Sequence, residues 1–179
     1  LVSLLKDEQI NNQRLRACLA AGPFPGMGTG DPDLYKAFCW RFWFLTAEDA
    51  GRIGVVLPRT ALAAKGSEEL RWVLFREAEL TDITALLNTS RWAFDMEARY
   101  TIALVVIQRS VTPNPRVSLS GPYNSRDAYD AGIQQSSASF TGEHVLSWND
   151  SASLPLLPTP ESVEVFAQLR KAPRLDLNE

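Results

Sequence analysis

The apolar positions follow helical spacing first and strand spacing later. Between residues 3 and 20, Leu4, Leu5, Ile10, Leu15 and Leu19 recur among polar side chains and predict a helix with these residues roughly on one side. Gly22-Pro23-Phe24-Pro25-Gly26 ends it, and the loop runs on through Gly30. Asp31-Pro32-Asp33 reads as the next helix start: Asp31 as cap, Pro32 in the first helical position, Asp33 at the positive end of the dipole. The helix Leu34–Leu45 carries Tyr35, Phe38, Trp40, Phe42, Trp43 and Phe44, which predicts burial on more than one face.

Gly51 then allows a turn into Arg52–Leu57, a short β-branched apolar run closed by Pro58 and predicted as an interior strand. Ser67 caps a predicted helix through Arg76, with Glu68 and Glu69 in its first turn. Strands are predicted at Leu80–Leu87 and Tyr100–Gln108, separated by a loop containing Trp92 and Phe94. Helix, strand, helix, strand, loop, strand is the order of an α/β domain.

After Ser110 the pattern loosens. Thr112-Pro113-Asn114-Pro115 is a linker signal, and residues 116–150 are polar and rich in Ser and Gly. Short strands are predicted at Arg116–Leu119, Ser137–Phe140 and His144–Trp148. Leu154–Pro160 reads as an extended connector with docking leucines, followed by an acidic helix, Glu161–Arg170. The expected division is 1–110 as a catalytic-domain portion and 111–179 as a connector.

Composition narrows the class. A chain of 179 residues and 19.9 kDa buries about 70% of its unfolded surface when compact, enough for a real core. With 45% apolar and 22% charged residues, disorder is not expected for most of it. Cys18 and Cys39 make neither a disulfide framework nor a zinc site, and His144, the single histidine, excludes a multi-histidine metal centre. A reduced, cytoplasmic setting is expected. The chain opens on Leu1 without a signal-like start, as expected of a piece of a longer protein. Net charge is −1 over residues 1–83, +3 over 84–126 and −5 over 127–179, so only the middle stretch offers a basic surface.

Three segments in order carry a resemblance: Asp33-Leu34-Tyr35-Lys36-Ala37-Phe38 leading into Gly51–Pro58; Glu69-Leu70-Arg71 through Leu87; and Trp92-Ala93-Phe94 followed by Tyr100–Val106. Together they resemble the downstream half of an adenine-specific DNA methyltransferase domain, of the large single-chain type II restriction-modification kind. Leu154–Pro158 with Pro160-Glu161 is similar to the segment leading from methylase into target recognition domain. The resemblance implies a partial Rossmann-like class I methyltransferase sheet, followed by a β-rich linker. For the parent protein it implies S-adenosylmethionine as methyl donor, no metal, and double-stranded DNA as substrate. The family's cofactor turn and its catalytic tetrapeptide, Asn or Asp followed by Pro-Pro and an aromatic residue, are missing. Asn114-Pro115-Arg116 and Gly121-Pro122-Tyr123 each hold half of that pattern. Residues 1–179 alone are therefore expected neither to bind the donor tightly nor to methylate.

By the same resemblance Phe94 stands where the family places a phenylalanine against the flipped adenine. An aromatic face there repays part of the unstacking. The other reading is a core aromatic between two strands. Arg59 lies just past the carboxyl end of a predicted strand, where ligands of open α/β sheets gather, and is a candidate for DNA phosphate, or else part of an ordinary turn. Arg91 and Arg99 flank Phe94 and are candidates to hold phosphates beside an extruded base, or are simply solvated. Gly26–Gly30 lacks the strand and lysine of a phosphate loop. Asp127 and Asp130 read as an acid–base pair or a solvated turn. The Arg52–Leu57 strand, without an upstream neighbour, predicts a homo-oligomer of the fragment. A non-catalytic α/β module binding proteins through residues 110–160 is the alternative.

Overall fold

In the computed structural model of the chain, the described residues are 2–27, 29–30, 32–135, 137–157, 160–170 and 172. Asp31, expected as a helix cap, and parts of the Gly26–Gly30 and Leu154–Pro160 stretches lie outside them. The protein is α/β, with one open five-stranded mixed sheet and flanking helices, compatible with a partial Rossmann-like fold. The strands are β1 (Arg52–Pro58), β2 (Ala78–Leu87), β3 (Thr101–Arg109), β4 (Arg116–Tyr123) and β5 (Ala138–Thr141), in spatial order β1-β3-β2-β4-β5. Strand β3 is antiparallel to both β1 and β2, so β1 and β2 run parallel, and β4 runs parallel to β2. Three parallel strands thus deliver their carboxyl ends to one edge of the sheet. The sheet crosses residue 110 without interruption, because β4 and β5 extend it.

The register explains the core. Ile53 faces Ile107, Val55 faces Val105, and Ile83 sits between Val105 and Leu119. These side chains share one face and bury it under helices α2 (Leu34–Leu45) and α3 (Glu68–Glu77), with Cys39, Trp43, Leu70 and Leu74 packed among them. Burial pushes the Cys39 thiol up to about 11. On the opposite face Val56 and Val106 stay exposed. Strand β1 is the edge of this sheet, not an interior strand. Its apolar run is continuous in sequence, but only alternate residues, Ile53 and Leu57, are buried.

Other departures have local causes. Helix α1 (Val2–Ala21) forms as predicted, yet Leu19 is its one buried residue, and Ile10 falls on the side opposite Leu4 and Leu15 at 3.6 residues per turn. Helix α2 starts at Leu34, after an extended Asp33, and buries Trp40 and Trp43 while Phe38, Phe42 and Phe44 remain exposed, so one face is covered. Ser67 precedes α3 as expected, but its hydroxyl lies 3.3 Å from the Tyr35 hydroxyl and does not cap the helix. The predicted strand His144–Trp148 is instead helix α5 (Gly142–Leu146). Thr141 Oγ1 accepts from the His144 amide at 3.2 Å, and the buried residues, Val145 and Trp148, are three apart. His144 itself is exposed. Helix α4 (Arg126–Gly132), read as a polar turn, is capped by Ser125, which accepts from the Ala128 amide at 3.2 Å. Helix α6 (Pro160–Arg170) follows as predicted. Among the described residues no helix is long and apolar enough to cross a membrane.

One buried cation ties the crossover to the distal segment. Arg71 is fully buried in α3. Its guanidinium donates to the carbonyls of Ala61 and Ala64, in and after the 3-10 turn that follows β1, and to those of Ser151 and Ala152. Desolvation lowers its pKa to about 10.

Candidate nucleic-acid interface

The carboxyl edge of β1, β2 and β4 is where the candidate residues gather. Arg59 follows β1 directly, opening the 3-10 turn Arg59–Leu62, and is half-buried. Leu87 ends β2 opposite Thr101, while Pro58 ends β1 opposite Ile102. The loop carrying Phe94 therefore closes over the start of β3, on the edge that open α/β sheets present to ligands.

That loop is bent sharply and then held. Ser90 and Arg91 both adopt left-handed backbone, with φ of 59° and 58°, a conformation that costs a non-glycine residue about 1–2 kcal/mol. Asn88, fully buried, offsets the strain. Its Oδ1 accepts from the amides of Ala93 (3.2 Å) and Phe94 (3.1 Å), and its Nδ2 donates to the Phe94 carbonyl at 2.8 Å. Trp92 Nε1 donates to the Leu87 carbonyl at 2.8 Å. Phe94 is fixed at the backbone, yet the residue is 37% exposed. It is not a core aromatic between two strands.

The ring divides two clefts. The first, of 230 Å³, is lined by Val56, Leu57, Pro58, Met96, Tyr100, Thr101 and Ile102 together with Phe94. The second, of 200 Å³, is lined by Leu86, Trp92, Ala93, Leu104, Arg126 and Tyr129, again with Phe94. In the second, Trp92 and Tyr129 have centroids 6.3 Å apart and planes tilted by 43°. Tyr123 meets Tyr129 edge-on at 5.7 Å. Gly132 leaves room for that Tyr123 ring, which a Cβ there would strike.

The flanking arginines are exposed and paired within the loop. Arg91 lies 3.5 Å from Asp95, and Arg99 lies 3.4 Å from Glu97. Arg126 donates from Nε to both carboxylate oxygens of Asp130, at 3.0 and 2.8 Å, and this bond holds its pKa above the ordinary value. Asp130 is thus an ion-pair partner, and Asp127 stands in the first turn of α4. Exposed pairs of this kind are weak, so a phosphate can take over the arginine at little cost. Arg59 makes no hydrogen bond or ion pair among the described residues.

Comparison with protein-family models and with curated proteins finds no match. Solved structures do match. A chain from a type I restriction-modification system aligns over 75% of this chain and 35% of its own, with 18% identity and a TM-score of 0.49. An ATP-dependent Type ISP restriction-modification enzyme bound to DNA aligns over 79% of this chain and 11% of its own, with 12% identity and a TM-score of 0.51. At these identities the likeness is one of fold, shared with a small segment of the second enzyme.

The first cleft is walled mainly by apolar and aromatic side chains, with Tyr100 and Thr101 as its hydroxyl-bearing residues, so it offers few partners for the ribose hydroxyls and amino-acid head of S-adenosylmethionine. Sequence reasoning placed Phe94, Arg59, Arg91 and Arg99 on this edge. It missed Asn88, Tyr100, Tyr129 and Arg126. The capping Ser125 three residues before Ala128 was the available signal for α4 and hence for the last two. Nothing local marked Asn88, whose partners are loop amides.

Proposed function

We propose that this chain is the downstream part of the catalytic domain of an adenine-specific DNA methyltransferase from a restriction-modification system. Residues 1–110, with β4 and β5 completing the same sheet, belong to the catalytic portion, and the segment after β5 leads towards target recognition. The observation that carries the reading is Phe94: an aromatic ring anchored by Asn88 but left open to solvent, at the carboxyl edge of parallel strands, beside an apolar cleft. A base taken out of the stack needs an aromatic or apolar wall of this kind. The shared fold with a DNA-bound restriction-modification enzyme supports it, as do the three segments in family order. In the parent, S-adenosylmethionine would supply the methyl group, and residues outside this chain would hold it. This chain's own contribution is to receive the target base on Phe94 and Tyr100, to exclude water with Met96 and Val56, and to hold flanking phosphates with Arg59, Arg91 and Arg99.

The open β1 edge fits the same reading, because unpaired donors and acceptors on a strand with one neighbour accept another strand. The test is transfer of labelled methyl to mixed-sequence duplexes. A polypeptide extended upstream through the Pro-Pro-aromatic tetrapeptide should methylate adenine, and residues 1–179 alone should not. Turnover by the isolated chain, or an upstream reading frame without that tetrapeptide, would overturn the assignment.

A further inference from the structure

We propose that the second cleft, between Phe94, Trp92 and Tyr129, receives another unstacked nucleotide of the same DNA, with its base against the two tilted rings and its phosphate on Arg126. The inference rests on the reading of Phe94 as the wall for the target base.

The cleft is built rather than incidental. Trp92 is pinned through its indole N–H to the Leu87 carbonyl, and Tyr129 is braced edge-on by Tyr123. Both residues are half-buried. At 6.3 Å and 43° their rings form a tilted aromatic pair. Leu86 and Leu104 line the same cleft. A planar ring docking against this pair gains aromatic contact. A purely apolar guest would leave Arg126 unused. Arg126 lines the same cleft, 74% exposed at its side chain, and its present partner, Asp130, is itself half exposed. A planar group carrying an anion satisfies both features, and a nucleotide is such a group.

Position favours the same ligand. The two clefts share Phe94 as a wall, so nucleotides in them are neighbours or near neighbours on one strand. Arg91 and Arg99, from the Phe94 loop, and Arg126, which lines the second cleft, each stand beside an exposed carboxylate that a phosphate would replace.

The test uses the 179-residue chain and single-stranded oligonucleotides carrying one photoreactive 5-iodouracil. Crosslinks should map to two sets, Phe94 with Tyr100 and Trp92 with Tyr129. Tyr129→Ala should abolish the second set, keep the first, and weaken binding by about 5- to 150-fold. Tyr129→Phe should retain both, separating stacking from folding. Arg126→Gln should lower the salt slope of binding by about one. Crosslinks at Phe94 and Tyr100 alone, unmoved by Tyr129→Ala, would overturn the second cleft and leave the proposed function standing. Crosslinks at Trp92 and Tyr129 alone would keep the cleft and remove Phe94 from the target site. Crosslinks scattered over the surface and insensitive to every variant, or none at all, would overturn both.

Discussion

Asn88 holds Phe94 by its backbone on both sides of its Cα: the carboxamide oxygen accepts from the Phe94 amide at 3.1 Å, and its nitrogen donates to the Phe94 carbonyl at 2.8 Å. The ring is thereby aimed without being buried. An aromatic group meant to meet a base has to be rigid before the base arrives, since ordering it later would subtract from binding.

Replacing Asn88 by Ala should cost about 1–3 kcal/mol, the penalty for leaving buried polar groups without partners. Hydrogen exchange at the Ala93 and Phe94 amides should accelerate, while amides of β3 stay protected. Equal loss of protection throughout the sheet would mean that Asn88 supports the core and not the loop.

Arg71→Met keeps the volume and removes a guanidinium that serves four carbonyls. Stability should fall by at least about 3 kcal/mol, a drop of about 6–12 °C in melting temperature for a chain of this size. A smaller change would show that the 3-10 turn after β1 and the 149–154 segment dock without it.

Cys39 should resist thiol reagents in the folded chain at pH 8, whereas exposed Cys18 reacts. Its folded pKa of about 11 exceeds the ordinary value of 9.0. Above the ordinary value the unfolded chain loses the proton first, so this group makes stability fall as pH rises from there to about 11. Two thiols titrating in the native state would contradict the packing of α2 on the sheet.

The open β1 edge predicts self-association at ~100 µM by light scattering. Val56→Lys places a charge on the exposed face of that edge strand and should shift the chain towards monomer without lowering its melting temperature. A monomeric wild-type chain at that concentration would show that the edge needs no neighbour.

The parts legible in the sequence were those written in local pattern. Bounded apolar runs located β1, β2 and β3 within two residues at either end, and Ser67 marked the start of α3. The edge position of β1 followed from the expected lack of an upstream neighbour and not from its own residues, because adjacent Val55 and Val56 look the same whether one or two strands flank them. Helices α4 and α5 are short, and their caps, Ser125 and Thr141, are also ordinary loop residues. Arg71 looked like any helix arginine because two of its acceptors, Ser151 and Ala152, lie some 80 residues away. Of the candidate site, Phe94 and the three arginines could be named from order and resemblance. The wall opposite Phe94 could not, since Tyr129 reaches the cleft only through the pairing of β4 with β2.

The central claim, that Phe94 receives the target adenine, is tested most directly by single-turnover methyl transfer in the extended polypeptide, comparing Phe94→Ala with the parent on matched and mismatched duplexes. Loss of a base–aromatic contact of about 1–3 kcal/mol should slow transfer by roughly 5- to 150-fold on matched DNA, at 1.36 kcal/mol per decade. The defect should shrink when the target adenine faces a mismatch, because extrusion then costs less. Melting temperature should move little, as expected for a residue that is 37% exposed. Equal slowing on both duplexes, together with a stability loss near the ~3–5 kcal/mol of a core phenylalanine, would contradict the account.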